Sequence, residues 1–193
     1  MKRLIFLLLL ISPSFGGRWG EAFAQKGAPE GVMKNIRAKY AEAWETANQQ
    51  LQDDITPNKN YMTATLHYVI PACGQTTETL CYYYILDSDN ESGEMAYCLN
   101  LVTRKYNIAA RNFYEEYLYD SHTGDCLFVY HKYDIYVKDG VKTAEERYYM
   151  QDGQIIWKTV NDYAKSDEEE EVRVKKLCVS LQRGFAYIVN HSF

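Results

Sequence analysis

The sequence predicts an α+β fold: a curved antiparallel β-sheet of about six to seven strands, with N- and C-terminal helices packed on one face. Residues 29–52 and 166–193 repeat apolar side chains at spacings of three and four, which is the period of an amphipathic helix. Residues 61–162 instead alternate with a period of two, as strands do. The segments between these strands are too short to hold crossover helices, which favours an antiparallel meander.

The N-terminal helix is predicted from one apolar stripe. Its members are Val32, Met33, Ile36, Tyr40, Ala43, Trp44, Ala47 and Leu51. Pro29 suits the first turn of a helix, where the missing backbone N–H has no partner to lose. The stripe also fits a membrane surface or a partner protein. Packing on the sheet is the favoured interpretation, because the sheet needs a cover.

The C-terminal helix begins with an acidic run, SDEEEE. Ser166 with Glu169 three residues later forms a capping-box pattern, and negative charge is favourable at the start of a helix. An apolar stripe follows, formed by Val174, Leu177, Cys178, Leu181, Phe185 and Ile188. A cation-binding tail is the alternative interpretation of the acidic run.

Seven segments of the middle region are predicted strands: 61–70, 77–86, 94–103, 112–120, 126–137, 144–150 and 154–160. They are rich in tyrosine, valine and isoleucine, which favour extended backbone. Asp152 and Gly153 lie between the last two segments, and an Asp-Gly pair in that place indicates a tight hairpin turn.

Tyrosines concentrate in the predicted sheet: 16 of the 18 lie between Tyr61 and Tyr163. A tyrosine ring fills space in the core, and its hydroxyl group can remain in contact with water. A sheet with one face open to solvent therefore accommodates many tyrosines without any binding role. The functional interpretation is that the uncovered face binds a ligand, because rigid aromatic rings suit sugars, peptides and protein partners. The candidate ligand-binding residues on that face are Tyr82, Tyr84, Tyr130, Tyr136, Tyr149 and Trp157.

The first 24 residues have the pattern of a signal peptide. Two basic residues precede an apolar run at 4–11, which is shorter than the roughly 20 residues of a membrane-spanning helix. Residues 22–24, Ala-Phe-Ala, match the small-x-small cleavage pattern. We therefore expect residues 1–24 to be removed and residues 25–193 to form a single secreted or periplasmic domain, with no later membrane span.

Five cysteines would meet an oxidising environment after export: Cys73, Cys81, Cys98, Cys126 and Cys178. Cys81 and Cys98 flank one predicted hairpin and would face the same side if its loop is centred near Asn90, which makes them the candidate disulfide pair. A shift of one residue in register would turn them apart, and buried, reduced cysteines are an equal alternative. An odd number leaves at least one thiol free, buried or paired between chains.

Charge and motifs argue against several functional classes. The net charge is −5, and −7 without the first 24 residues, with no basic patch, so nucleic acid is not an expected partner. The cysteine spacing does not match a zinc site, and the acidic residues Asp87, Asp89 and Glu91 do not continue as a calcium loop, so no metal or cofactor is expected. No nucleophile motif, zinc-binding helix or phosphate loop occurs, so no catalytic residue is assigned.

Two segments, EYLYDSHTGDCLFVYHKYDIYV and EERYYMQDGQIIWKTV, each place a tyrosine-rich strand, a turn and another strand in succession. In this they resemble uncharacterised exported bacterial proteins. The two segments make up about a fifth of the chain. The resemblance implies an exported single domain and carries over no catalytic residue.

These observations favour an exported, non-enzymatic binding or interaction protein that uses a tyrosine-rich sheet face. Its partner would be a protein, a peptide or a glycan. The alternative is a small secreted hydrolase-like enzyme with a pocket near His67 or His131. A deep cavity with a histidine beside a carboxylate or thiolate would favour the enzyme, whereas a shallow aromatic groove would favour the binding protein.

Overall fold

The computed structural model describes residues 29–52, 60–87, 96–165 and 167–192. Within those ranges the chain forms α1 (Glu30–Gln52), β1 (Tyr61–Ile70), β2 (Gly74–Asp87), β3 (Ala96–Ile108), β4 (Arg111–Tyr119), β5 (Cys126–Val137), β6 (Gly140–Gln151), β7 (Gln154–Val160) and α2 (Glu168–Ser192). The predicted signal peptide, residues 1–24, lies outside the described residues and stays a prediction.

The strands form one sheet in which each strand pairs antiparallel with its neighbour in the chain, in the order β1 to β7. Both helices and all seven strands lie close to their predicted positions, and the α+β class is confirmed. The β6–β7 turn contains only Asp152 and Gly153, with φ angles of 50° and 70°. Such a turn has the twist that matches flanking antiparallel strands, as the Asp-Gly pair predicts.

The two helices cover opposite faces of the sheet. On the α1 side the helix packs on a core cluster that includes Tyr83 and Tyr149, whereas α2 packs on a cluster that includes Tyr84 and Tyr148. Consecutive side chains of a strand point to opposite faces, so each of these neighbouring pairs spans the sheet. The prediction that both helices lie on one face is therefore wrong.

Both faces of the central strands are apolar, so a helix on one face alone would leave the apolar surface of the other face in water. Tyr117, Leu118 and Tyr119 are consecutive residues of β4, and each has at most 2% of its surface exposed. Apolar surface is removed from water at about 25 cal/mol per Å², so a strand of this kind needs a cover on each side. The prediction of one open face fails because these tyrosines are core residues.

Asp167 caps the start of α2. Its carboxylate accepts a hydrogen bond from the backbone N–H of Glu170, at 3.0 Å. The predicted capping box gives this role to Ser166, which lies outside the described residues. Neither α1 nor α2 has a stretch apolar enough to cross a membrane.

Candidate functional site

Two of the predicted ligand-binding tyrosines are buried beneath α2. Tyr82 and Tyr84 have 4% and 7% of their surface exposed. Both rings pack against Phe185, with centroid distances of 6.1 and 5.7 Å. Burial raises the pKa of both phenols. These tyrosines are part of the core, and a ligand in solution does not reach them.

The other four predicted residues lie on the α1 side. Tyr149 is buried under α1, and Tyr130 and Trp157 are partly buried against the same core cluster. Tyr136 is exposed, and its hydroxyl donates a hydrogen bond to the backbone carbonyl of Ala110. The six predicted residues therefore do not form one platform, because the first two point to the opposite face.

The candidate disulfide pair is also separated. Cys81 lies opposite Thr103, and Cys98 lies opposite Ile85, so the two cysteines are four positions apart along the hairpin. At about 3.3 Å per residue this offset is about 13 Å, whereas a disulfide needs Cα atoms within about 7 Å. The predicted pairing fails because the hairpin is centred after Asn90 and β3 carries a bulge opposite Tyr83 and Tyr84.

An open groove lies on the α1 side of the sheet, beside the stretch that α1 covers. Its volume is about 450 Å³. Two cross-strand rows from β2, β3, β4 and β5 line it: Thr79, Lys105, Tyr114 and Lys132 in the first, and Thr77, Asn107, Asn112 and Asp134 in the second. Tyr106, Phe113 and Tyr133 complete the lining. The half-buried ring of Tyr114 lies between the two lysines in the first row, among polar side chains.

Two lysines of this groove form no ion pair with the residues that the structure describes. Lys105 and Lys132 are exposed, and within the described part of the chain neither ammonium group lies within 4.0 Å of a carboxylate. The Lys105 Nζ lies 5.6 Å from the centroid of the Tyr114 ring. Asp134, the acidic residue of the lining, accepts a hydrogen bond from Asn112 Nδ2 at 2.9 Å. The first row therefore presents two lysines that form no ion pair with the described residues, although Glu145 lies opposite Lys132 in the β5–β6 ladder, in a chain whose net charge is −5.

Glu116 follows Tyr114 by two residues in β4, so the two side chains lie on the same face of the sheet. It is 5% exposed, and it accepts hydrogen bonds from the hydroxyl of Tyr40 and from Trp44 Nε1, both in α1. Burial raises the pKa of the Glu116 carboxyl, and the hydrogen bonds from Tyr114, Tyr40 and Trp44 only partly offset this effect. The hydrogen bonds from Tyr40 and Trp44 therefore join α1 to β4 two residues from the groove residue Tyr114.

The opposite face contains a set of buried ionisable groups beneath the first turns of α2. We call it the buried charge cluster, and it comprises Glu78, Arg104, Glu115, His131, Glu146, Glu170 and Arg173. The last two belong to α2 and the others to β2–β6. α2 is therefore attached to the sheet by ion pairs at its N-terminal end and by apolar packing further along.

Glu115 is the centre of the buried charge cluster. Arg104 Nη1 and Arg173 Nη1 donate to its two oxygens at 3.0 and 2.9 Å. The hydroxyls of Tyr106 and Tyr117 donate at 2.9 and 2.6 Å. Burial opposes ionisation of Glu115, but the two guanidinium groups outweigh burial and hold its pKa below the usual value.

His131 lies among three carboxylates of this cluster. Its Nδ1 is 3.1 Å from Glu170 Oε1 and 4.0 Å from Glu146 Oε2, and its Nε2 is 3.5 Å from Glu115 Oε1. Ligand atoms of His131, Glu146 and Glu170 lie within 4.8 Å of one another, a spacing compatible with a metal ion. Arg173 Nη2, however, is 2.6 Å from Glu170 Oε1 and 3.4 Å from His131 Nδ1. The protein's own cation lies where a metal would bind.

Neither histidine named for the alternative function is part of the groove lining, although His67 contacts the groove residue Thr77. His131 is 4% exposed and belongs to the buried charge cluster. His67 is exposed on the edge strand β1, where its Nδ1 lies 3.1 Å from Thr77 Oγ1. The groove and the smaller pocket beneath α1 contain no histidine.

The groove residues were missed by the sequence prediction, although a signal for them exists. The β3–β4 turn is centred between Ala109 and Ala110, and this register places Lys105 opposite Tyr114. The next hairpin places Tyr114 opposite Lys132. Counting outward from the β3–β4 turn would have found the pair Lys105–Tyr114, but the bulge beside Tyr119 shifts the same count by one residue in the β4–β5 hairpin.

The chain was compared with protein-family models, with curated proteins and with solved structures. None of the three comparisons finds a significant match.

Proposed function

We propose that the protein is an exported, non-enzymatic binding protein that holds an acidic glycan in the open groove. The observation that carries the proposal is the first row of the groove, where two lysines that form no ion pair with the described residues flank Tyr114. A carboxylate or sulfate group on a ligand would supply the missing partners. The ring of Tyr114 offers a flat surface for a sugar ring.

The polar side chains of the groove support a glycan. Thr77, Thr79, Asn107 and Asn112 supply hydroxyl and amide groups that both donate and accept hydrogen bonds. Sugar hydroxyls need partners of this kind. Lys105 and Lys132 lie on β3 and β5, two strand spacings apart, which is about 10 Å. That interval leaves room for one sugar ring over Tyr114 between the two cations.

The same lining favours binding over hydrolysis. Hydrolysis of a glycosidic bond ordinarily uses two carboxyl groups on either side of the bond. The groove contains one carboxylate, Asp134, which is engaged by Asn112. A hydrolase with a histidine pocket is the less favoured function, because His131 is enclosed in the buried charge cluster.

The test is a binding panel with residues 25–193. Polygalacturonate, chondroitin sulfate, a neutral cello-oligosaccharide and poly-glutamate would be titrated by calorimetry at low salt. We expect binding to an acidic polysaccharide and at least tenfold weaker binding of the double variant Lys105→Ala, Lys132→Ala. A matched control removes two exposed cations from α2 on the other face, Lys176→Ala and Arg183→Ala. Equal losses in both variants, or binding of poly-glutamate alone, would contradict the glycan proposal.

Export has a separate test. The full chain would be expressed in a Gram-negative host, and the mass and N-terminal sequence of the protein in the periplasm would be determined. We expect the mature chain to begin at Gln25. A full-length protein retained in the cytoplasm would contradict export without bearing on the groove.

A further inference from the structure

Cys126 and Cys178 meet in the core between the sheet and α2. Cys126 is the first residue of β5, and Cys178 lies in the third turn of α2. Both are buried, and both belong to the core cluster on the α2 side. They are 52 residues apart in sequence, so their contact joins two distant parts of the chain.

The surrounding contacts hold the two thiol groups together. The Cys126 thiol lies 3.8 Å from the backbone carbonyl of Phe128, and the nearby Cys178 thiol adds to the effect of burial in raising the pKa of Cys126. Tyr119 is paired with Cys126 across the β4–β5 ladder, and its hydroxyl donates to the backbone carbonyl of Cys178 at 2.8 Å. The Cys178 Sγ also lies 3.7 Å from Met150 Sδ. Strand and helix are therefore fixed relative to each other at this point.

We propose that Cys126 and Cys178 form a disulfide bond that fastens α2 to the sheet when the chain folds in contact with a small-molecule disulfide such as oxidised glutathione. Its occurrence in the cell depends on the export included in the proposed function. The reaction itself can be tested without export. The other cysteines do not compete, because Cys81 and Cys98 are separated along their hairpin and Cys73 lies in the exposed β1–β2 turn.

The chemistry is a two-electron exchange. One protein thiolate attacks a sulfur of oxidised glutathione, which breaks the glutathione S–S bond, forms a mixed disulfide and releases one glutathione thiolate. The second protein thiolate then attacks the protein sulfur of the mixed disulfide and releases the second glutathione. The two protein thiols lose two electrons and two protons, and two glutathione thiols are formed.

The order of folding and oxidation follows from burial. Burial raises the pKa of the Cys126 thiol well above its usual value, so the folded, reduced protein contains little of the reactive thiolate. We therefore expect the bond to form while α2 is still docking. Once formed, it should resist added reductant unless the protein is unfolded.

The experiment maps the bond directly. Reduced and unfolded residues 25–193 would be refolded in a mixture of reduced and oxidised glutathione, alkylated and digested without reduction. A second sample, directed to the periplasm by a host signal peptide, would be mapped without any refolding. We expect a peptide pair joined through Cys126 and Cys178 in both samples. Alkyl groups on both cysteines in either sample would overturn the proposal.

Two variants separate the bond from packing. Cys81→Ser with Cys98→Ser should leave the linked peptide pair unchanged. Cys178→Ala removes the bond, and we expect its thermal midpoint to lie about 5–10 °C below that of the oxidised protein. The difference should shrink when the parent protein is first unfolded and refolded in reductant, so that the bond is absent before the thermal measurement. An equal difference under oxidising and reducing conditions would assign the effect to packing and overturn the proposal.

Discussion

Glu115 and Glu116 are consecutive residues of β4 whose carboxyl groups lie on opposite faces of the sheet and have pKa values shifted in opposite directions. Both are buried, so burial favours the neutral form of each. On the α2 side, Arg104 and Arg173 reverse that preference for Glu115. On the α1 side, Glu116 has hydroxyl and indole donors but no ion pair within 4.0 Å among the described residues. One strand therefore buries two neighbouring carboxyl groups, of which one has a pKa below the usual value and the other a pKa above it.

The first prediction compares Glu115→Gln with Glu116→Gln. Glu115→Gln leaves Arg104 and Arg173 without their shared carboxylate, and breaking a buried ion pair in this way costs about 3–5 kcal/mol. Glu116→Gln breaks no ion pair among the described residues and keeps an oxygen that can accept the hydrogen bonds of Tyr40 and Trp44, so we expect a loss below about 1 kcal/mol. Urea unfolding at pH 7 measures both changes. Equal losses would contradict the stabilising role of the ion pairs around Glu115.

The second prediction concerns acid unfolding. Burial opposes ionisation of Glu170, but His131 and Arg173 lower its pKa from 4.5 to about 2. A carboxyl group whose pKa is lower in the folded state stabilises the protein above its unfolded pKa, and this contribution is lost as pH falls. We therefore expect stability to decline between about pH 4.5 and pH 2.

Glu170→Gln should make that decline shallower, as measured by urea unfolding at a series of pH values. Glu169→Gln is the matched control, because Glu169 is the preceding, exposed residue of the same helix turn. A pH profile that is unchanged in Glu170→Gln would contradict the ion pair between α2 and the sheet.

The third prediction compares two tyrosines whose hydroxyl groups make the same type of hydrogen bond, one in the core and one at the surface. The hydroxyls of Tyr119 and Tyr136 each donate to a backbone carbonyl at 2.8 Å, but Tyr119 is 2% exposed and Tyr136 is 54% exposed. Tyr119→Phe leaves the buried carbonyl of Cys178 without this donor, and we expect a loss of about 1–2 kcal/mol. Tyr136→Phe should cost less than about 0.5 kcal/mol, because water replaces the hydroxyl. Chemical denaturation measures both, and a larger loss for Tyr136→Phe would contradict the packing of α2 on β4.

The fourth prediction separates the ring of Tyr114 from its hydroxyl. If a sugar stacks on the ring, Tyr114→Phe should keep most of the affinity for the acidic polysaccharide, and Tyr114→Ala should lower it at least tenfold. Raising the salt concentration from 20 to about 200 mM should also weaken binding, since exposed charges are screened beyond a Debye length of about 10 Å at 0.1 M. Calorimetry measures these changes. Salt-independent binding would exclude the two lysines from recognition.

The sequence predicts the elements of this fold well because their signals are local. The α1 stripe has helical spacing, and the Asp152–Gly153 turn fixes the β6–β7 hairpin on its own. The faces on which the helices pack, in contrast, depend on contacts between distant parts of the chain. Tyr82, Tyr83 and Tyr84 are all buried, two beneath α2 and one beneath α1, and the tyrosines alone do not reveal that both faces are covered.

The sites were harder to predict because they depend on register across several strands. Lys105, Tyr114 and Lys132 form one row although they come from three strands. Bulges shift the register within the β2–β3 and β4–β5 pairs, and the first of these contributes to the separation of Cys81 from Cys98. An alternating pattern assigns a residue to a face, but it does not identify the residue beside it on the next strand.

The position of α2 after all seven strands has a consequence for synthesis. The meander joins only neighbours in the chain, so its strands can pair one after another as they leave the ribosome. The face of the sheet that α2 covers, which includes Glu115 and Tyr119, stays exposed to water until residues 168–192 have emerged. A nascent chain halted before α2 should therefore bind chaperones that recognise apolar surface, and a chain halted after α2 has emerged should be released from them.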